Sequence, residues 1–234
     1  MAAAFQSVVY IDQGFGVIGE MIQDGPNRTD VLTLDNNGGT IGRAFTKNEL
    51  TNTATQGGTI GASTAFAGIL VNPKVYAARG TPNPLDPTLS VLGYSNAEFM
   101  TMGTIVVSVS TACNIGDLVQ YNTTTGALST VSSVSSFTAS QAAGVLTVTA
   151  ITQGQIGVGS VITSGGVNIG VVLSLGTGTG GTGTYNLSTS ATVSSTTMTG
   201  TGAATTGNAL VPNAVVWNFP ITGAGGLTTI RLTN

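Results

Sequence analysis

The sequence predicts an all-β protein, with a β-sandwich or barrel body that carries a small inserted module of β-hairpins. Helix signals are nearly absent, because Gly and Thr recur too often for a dozen residues to combine 3.6-residue apolar spacing with strong helix formers. β-Branched and aromatic runs of strand length instead recur along the chain, bounded by Gly, Asn, Pro or Ser. Such runs at short spacing are typical of sandwiches and barrels.

The predicted strands follow in chain order. Each contains Val, Ile, Thr, Leu or an aromatic residue, and turn signals separate one strand from the next. The clearest strands are residues 104–112, 145–151, 170–175, 214–219 and 227–232. Cys113 follows the first of them, and we expect it to be a small buried apolar side chain.

Charged residues are unevenly distributed. Every Asp, Glu and Lys lies between Asp12 and Asp117, and Arg231 is the only charged residue after Asp117. The chain has no histidine and only one cysteine. Catalytic and metal sites are built mainly from these residue types, so we expect a protein that is not an enzyme and that binds no cofactor or metal.

The overall charge also argues against two classes of partner. Charged residues make up 6% of the chain, the formal net charge is −3, and no basic cluster occurs, so we expect no binding to nucleic acid. Apolar runs are interrupted before they reach the about 18 residues of a membrane span, so we expect no membrane insertion.

Composition divides the chain into a body and an insertion. We predict that residues 1–134 and 203–234 form the body, and that residues 135–202, almost entirely Gly, Ser, Thr, Val, Ala and Ile, form the inserted module. Turn signals at 164–167 and 176–183 favour folded hairpins over a flexible linker. An insertion requires its two junctions, near Ser133 and Gly202, to lie close together.

Two motifs that suggest catalysis or cofactor binding are better explained as turns. Residues 178–183 fit GxGxxG, but a strand-like segment follows in place of the helix that a dinucleotide site needs, and no acid follows. Five acids crowd residues 12–35, as a pair for glycoside hydrolysis would require. Asp24 and Asp35 nevertheless lie in turn sequences, where Asp caps backbone amides. An enzyme that acts on cell-wall polymer is therefore the least favoured hypothesis.

Several short motifs occur in an order that resembles the capsid cement (decoration) proteins of tailed phages. They are a Gly-rich opening with a D-G-P turn, a T-L-D step, a G-R-A-F-T strand and two closing segments, found at residues 14–28, 33–35, 42–46, 211–214 and 223–232. The block 155–198 resembles a β module that recurs in phage virion proteins. The resemblance implies a virion protein, assembled in the host bacterial cytoplasm, that binds the capsid exterior and bridges and stabilises subunits of the major capsid protein.

The uncharged surface is compatible with such a role. Thr, Ser and Gly side chains are buried against a partner with little charge desolvation and little loss of side-chain entropy. Self-association into a dimer or trimer would multiply weak contacts by avidity, so we expect a homo-oligomer. The alternative hypothesis is a phage tail or fibre component whose β module binds a host surface.

Six residues are candidate contacts with the partner. Phe5, Val8 and Tyr10 lie in an uncharged run that either adds a strand to a capsid edge or forms the first strand of the body's own sheet. Within the cement-like motifs, the candidates are Arg28, Arg43 and Phe45.

Overall fold

The structure, a computed structural model, describes residues 16–72 and 90–233. Within these ranges it contains strands and no helix, so the all-β prediction is confirmed. The strands are β1 (Met21–Ile22), β2 (Arg28–Leu34), β3 (Gly39–Thr40), β4 (Ala44–Asn48), β5 (Thr53–Gln56), β6 (Thr64–Leu70), β7 (Ser90–Val91), β8 (Asn96–Val109), β9 (Leu118–Asn122), β10 (Leu128–Val131), β11 (Val134–Ala142), β12 (Val145–Gln153), β13 (Val161–Ser164), β14 (Val167–Leu175), β15 (Gly183–Leu187), β16 (Val193–Thr201), β17 (Asn208–Asn218) and β18 (Gly226–Leu232).

Two rings of strands share β8, the longest strand. The C-terminal half of β8 pairs with β18, and this first ring continues through β17, β9 and β10 to a bridge between Leu128 and Val109. The N-terminal half pairs with β2, and the second ring continues through β5, β4 and β6, which returns to β8 at Phe99 and Met100. β1 adds to β8 outside this path, and β3 pairs with β7.

Gly103 lies where β8 passes from one ring to the other. Its φ is 120°, and an added Cβ would lie 2.0 Å from Oδ1 of Asn27. Only glycine combines this backbone conformation with so close an approach. The transition between the rings therefore depends on a residue without a side chain.

The strands of the body enclose two hydrophobic clusters. Ile105, Tyr121 and Ile230 are fully buried in the cluster of the first ring. Phe45 and Phe99 are fully buried in the second, with their ring centroids 5.1 Å apart. Alternating residues of a strand point to opposite faces, so each strand contributes every second side chain to a cluster. The body therefore has the predicted barrel-like character, with the core shared between two rings.

The strands β11 to β16 form a closed barrel in the order β11, β12, β15, β14, β13, β16. Val134 and Thr201, its first and last strand residues, pair with each other, close to the module limits 135 and 202 that composition suggests. A separate cluster fills the interior: Phe137, Leu146, Ile156, Ile162, Tyr185 and Met198 are its most deeply buried large side chains. That this barrel is an independent module stays a prediction.

The chain enters and leaves the barrel at one point. The amide of Gly202 donates to the carbonyl of Ser133 at 2.9 Å, which shows the predicted closeness of the two junctions. A Cβ at Gly202 would lie 2.1 Å from the carbonyl oxygen of Ser132. Glycine at this position therefore lets the two connections run side by side.

Candidate partner-binding surface

The structure separates the six sequence-predicted contacts into three groups. Phe5, Val8 and Tyr10 lie outside the described residues. Phe45 has no exposed surface, and its ring packs against Phe99. The expectation that Phe45 touches a partner therefore needs correction, because its side chain is part of the core of the second ring.

Arg28 and Arg43 are on the surface. Nε of Arg28, at the start of β2, donates to Oγ1 of Thr101 on β8 at 3.0 Å. Nη1 of Arg43, directly before β4, donates to the carbonyl of Thr125 at 2.7 Å. Neither guanidinium forms an ion pair with a carboxylate in the described ranges. Among the described residues, therefore, no carboxylate neutralises the charge of either cation.

Arg43 differs from Arg28 because it lines a cavity of about 330 Å³. The segment before β4, together with Ile18, and the ends of β8 and β10 form the wall: Ile18, Thr40, Ile41, Gly42, Ser108, Val109, Ser110, Ala127 and Leu128. The cavity therefore combines one guanidinium with aliphatic side chains and hydroxyl groups.

A cluster around Arg231 was not foreseen from the sequence. Its Nη2 lies 2.8 Å from Oδ2 of Asp24, and its Cζ lies 3.4 Å from the ring centroid of Trp217. Thr104 donates to the same Asp24 oxygen at 3.1 Å. Trp217 is the extra residue of a β-bulge in β17, and a bulge re-aims the side chain that it carries. The only cation of the second half of the chain is thus held between an acid and an aromatic ring.

This cluster perturbs the titration of Asp24. Partial burial raises the pKa of Asp24, but hydrogen bonds from Thr104 and Arg231 and the charge of Arg231 outweigh it, so the pKa lies below its usual value of 3.8. The turn-capping role expected from the sequence is seen at Asp35, whose Oδ1 accepts from the amide of Asn37 at 2.9 Å. Asp24 has the additional role of joining the loop after β1 to β18.

The exterior of the barrel offers an uncharged surface. Val158, Leu173 and Leu175 are 63%, 61% and 44% exposed. Hydroxyl pairs lie elsewhere on the same exterior, such as Thr163 and Thr199 with their Oγ1 atoms 2.7 Å apart. No residue between 134 and 201 is charged. A partner can cover this surface without desolvating an ion.

The GxGxxG segment closes one end of the barrel. It lies in the connection between β14 and β15, and a strand follows it, so the prediction of a hairpin loop is correct. The amide of Gly180 donates to the hydroxyl of Tyr185 at 3.0 Å, and this hydroxyl donates to the carbonyl of Gly181 at 2.6 Å. Burial raises the pKa of Tyr185, although the hydrogen bond from Gly180 opposes the shift. The glycines therefore serve a tight loop over a buried tyrosine.

The described residues contain no group of three or more His, Cys, Asp or Glu side chains able to hold a metal ion. Oδ2 of Asp117 has a local structural role, since it accepts from the amide of Asn114 at 2.8 Å. No helix that is long and apolar enough to cross a membrane occurs in the ranges 16–72 and 90–233.

Comparison with known proteins identifies the family. A family profile described as "Structural cement protein (E217 gp24/Pam3 gp6)" matches residues 5–158. The chain belongs to this structural cement protein family. The match ends in the loop after β12, so it includes the first hairpin of the barrel, and the closing segments 211–214 and 223–232 lie beyond it.

The cement protein was also compared with curated proteins and with solved structures. A search of curated proteins finds no match. A chain of the solved structure "The capsid of Myoviridae Phage XM1" aligns over 99% of the cement protein and 98% of its own length, with a TM-score of 0.48 and 14% identity. Family membership gives the chain the structural role of a phage cement protein.

Proposed function

We propose that the cement protein binds the outer surface of a phage capsid, where it bridges neighbouring subunits of the major capsid protein and stabilises the shell. The family match over residues 5–158 carries this proposal, because it covers the strands of the second ring together with β8, β9 and β10. A cement protein acts by binding its partner. The described surface offers hydroxyl, aliphatic and guanidinium groups that can bind a partner.

The chemistry of the surface supports the proposal. A bridging protein must cover parts of more than one subunit, and uncharged Thr, Ser and aliphatic side chains can be covered at little cost in desolvation. Arg28 and Arg43 add two cations without a neutralising partner in the described ranges. Such groups favour a partner that offers acidic or polar groups at matching positions.

We further propose that the protein binds as a small homo-oligomer, a dimer or a trimer. Two or three linked copies would engage neighbouring subunits together, so that weak individual contacts yield tight overall attachment. Light scattering of the purified protein measures its mass in solution. A monomer at all accessible concentrations would contradict this part of the proposal.

Reconstitution tests the main proposal. Expanded capsids that lack the cement protein are mixed with purified protein, pelleted and analysed for the number of bound copies. We expect saturable binding at a number that matches a repeating lattice position, and greater resistance of the shell to heat. Binding of only a few copies per particle would support the tail or fibre alternative, and absence of binding would contradict the proposed attachment to the capsid surface.

A further inference from the structure

We propose that the cavity beside Arg43 receives the carboxylate of an aspartate or glutamate side chain from the capsid protein. This inference rests on the proposed function, because it specifies the chemistry of one contact that the capsid would make. The cavity has a volume of about 330 Å³, and its lining includes Val109 and Leu128 of the first hydrophobic cluster and Ile18 and Ile41 of the second. A side chain bound there would therefore touch both halves of the body together.

The backbone around Arg43 is fixed from two sides. The amide of Leu70 donates to the carbonyl of Arg43 at 3.0 Å, and the amide of Gly42 donates to the carbonyl of Leu70 at 2.8 Å. On the other side, the amide of Ala44 donates to the carbonyl of Gly126 at 3.0 Å. The base of the arginine side chain is thus held in place before a partner arrives, which lowers the entropic cost of binding.

The guanidinium of Arg43 has unused hydrogen-bonding capacity. It carries five N–H donors, and one of its nitrogens, Nη1, donates to the carbonyl of Thr125. No carboxylate of the described residues pairs with it, although the side chain is half-buried. A partly desolvated cation without a counter-ion is unfavourable, and a carboxylate offers two parallel charge-assisted hydrogen bonds. The unpaired charge therefore favours an anionic partner group.

The remaining lining fits a single carboxylate on an aliphatic stem. Ile18, Ile41, Val109 and Leu128 provide apolar walls that suit the methylene groups of Asp or Glu. Among the described residues of the lining, Arg43 is the only charged one, so it balances one negative charge. A nucleic-acid backbone would bring several phosphates against this single cation, and binding of that kind requires several basic contacts. An acidic protein side chain is therefore the matching ligand.

Titration onto capsids provides the first test. Wild-type protein and the Arg43→Gln variant are titrated onto expanded capsids that lack the cement protein, and the bound fraction is measured by sedimentation. Loss of the charge-assisted pair should raise Kd by about 10-fold or more. The matched control is Lys47→Gln, which removes one positive charge from β4 at a residue outside the cavity lining. Its Kd should stay within about 2-fold of wild type.

Zero-length cross-linking provides a second test that does not depend on affinity. The Arg43→Lys variant introduces a primary amine at the cavity, and a carbodiimide activates capsid carboxyl groups. The amine attacks the activated carboxyl carbon, an amide bond forms and the carbodiimide leaves as a urea. We expect mass spectrometry to find a peptide containing position 43 joined to an Asp or Glu of the capsid protein.

The outcomes separate the two proposals. If wild-type protein binds capsids but Arg43→Gln binds equally well and no cross-link forms at position 43, the inference about the cavity is overturned and the capsid-binding function stands. If wild-type protein does not bind capsids, the proposed function fails and the inference fails with it. Thermal unfolding of each variant shows whether a loss of binding reflects loss of fold.

Discussion

At the scale of single residues, Arg231 has the most unusual position. It is separated from all other charged residues in the sequence, yet it contacts Asp24 and Trp217 in the folded chain. The sequence marks Arg231 as exceptional but does not reveal its partners, because a contact over 207 positions depends on the strand order. The burial of Phe45 was missed because the pattern of a short strand does not indicate which of its two faces is covered by the rest of the fold.

The ion pair of Asp24 predicts a pH-dependent contribution to stability. Because the pKa of Asp24 is lowered by folding, the contribution is complete above the ordinary pKa of 3.8 and is lost as the pH falls through the lower pKa of the folded state. At neutral pH, Asp24→Asn should lower the free energy of unfolding by about 0.5–1 kcal/mol.

Urea unfolding at a series of pH values measures this effect. The difference between wild type and Asp24→Asn should shrink as the solution becomes more acidic. Asp30→Asn is the matched control, because Asp30 forms no ion pair within the described chain. A difference that persists unchanged at pH values where both carboxyl groups are protonated would contradict the explanation.

Gly103 leads to a second prediction at this scale. Gly103→Ala should destabilise the body by about 2 kcal/mol or more, because the substitution combines an unfavourable φ with steric overlap. Gly116→Ala is the matched control, since its φ is 90° but nothing lies within 4 Å of an added Cβ. Denaturant unfolding should show the larger loss for Gly103→Ala. Equal losses for the two variants would mean that the close approach to Asn27 has no effect.

At the scale of elements, the sequence predicts strands well and their partners poorly. The predicted segment 145–151 corresponds to β12, and 227–232 corresponds to β18, because both show clear β-branched alternation. The N-terminal half of β8 was missed, since residues 96–103 contain Ala, Glu and Met, which are common in helices. Pairing across both rings imposes the strand there, and no local pattern encodes that pairing.

The junction at Ser133 and Gly202 predicts that the barrel is dispensable for folding of the body. Replacing residues 135–201 with a two-residue Gly-Ser link should leave a soluble body with a cooperative unfolding transition, because the two connections already lie within hydrogen-bond distance. Circular dichroism and thermal unfolding measure the outcome. Deleting 118–131 is the control, because it removes β9 and β10 from the first ring and should abolish folding. An insoluble product of the first deletion would contradict the modular interpretation.

At the scale of the whole molecule, the scarcity of charge determines how attachment should respond to salt. Salt weakens chiefly the interactions between exposed charges. Because most of the exposed surface is uncharged, its contacts with a partner should depend little on ionic strength. Cement protein bound to capsids should therefore remain bound when salt is raised to about 0.5 M. A carboxylate enclosed at Arg43 would be screened less than an exposed pair, so the inference about the cavity agrees with this expectation.

Sedimentation of decorated capsids at low and high salt measures this prediction. The amount of protein that remains in the pellet should be nearly constant. Rapid release would instead place the attachment on exposed charges such as Arg28 and Lys47. Variants of these two residues, tested at both salt concentrations, would then identify the residue responsible.

The side-by-side connections at Ser133 and Gly202 would also suit the cement protein to the display of foreign domains. If the body folds without the barrel, as we predict, a folded domain whose own ends are adjacent could replace the barrel without stretching the chain, because the two connections already lie side by side. A capsid coated with such chimaeras would carry one foreign domain per bound copy. The spacing of those domains would be set by the capsid lattice and would not depend on the domain that is displayed.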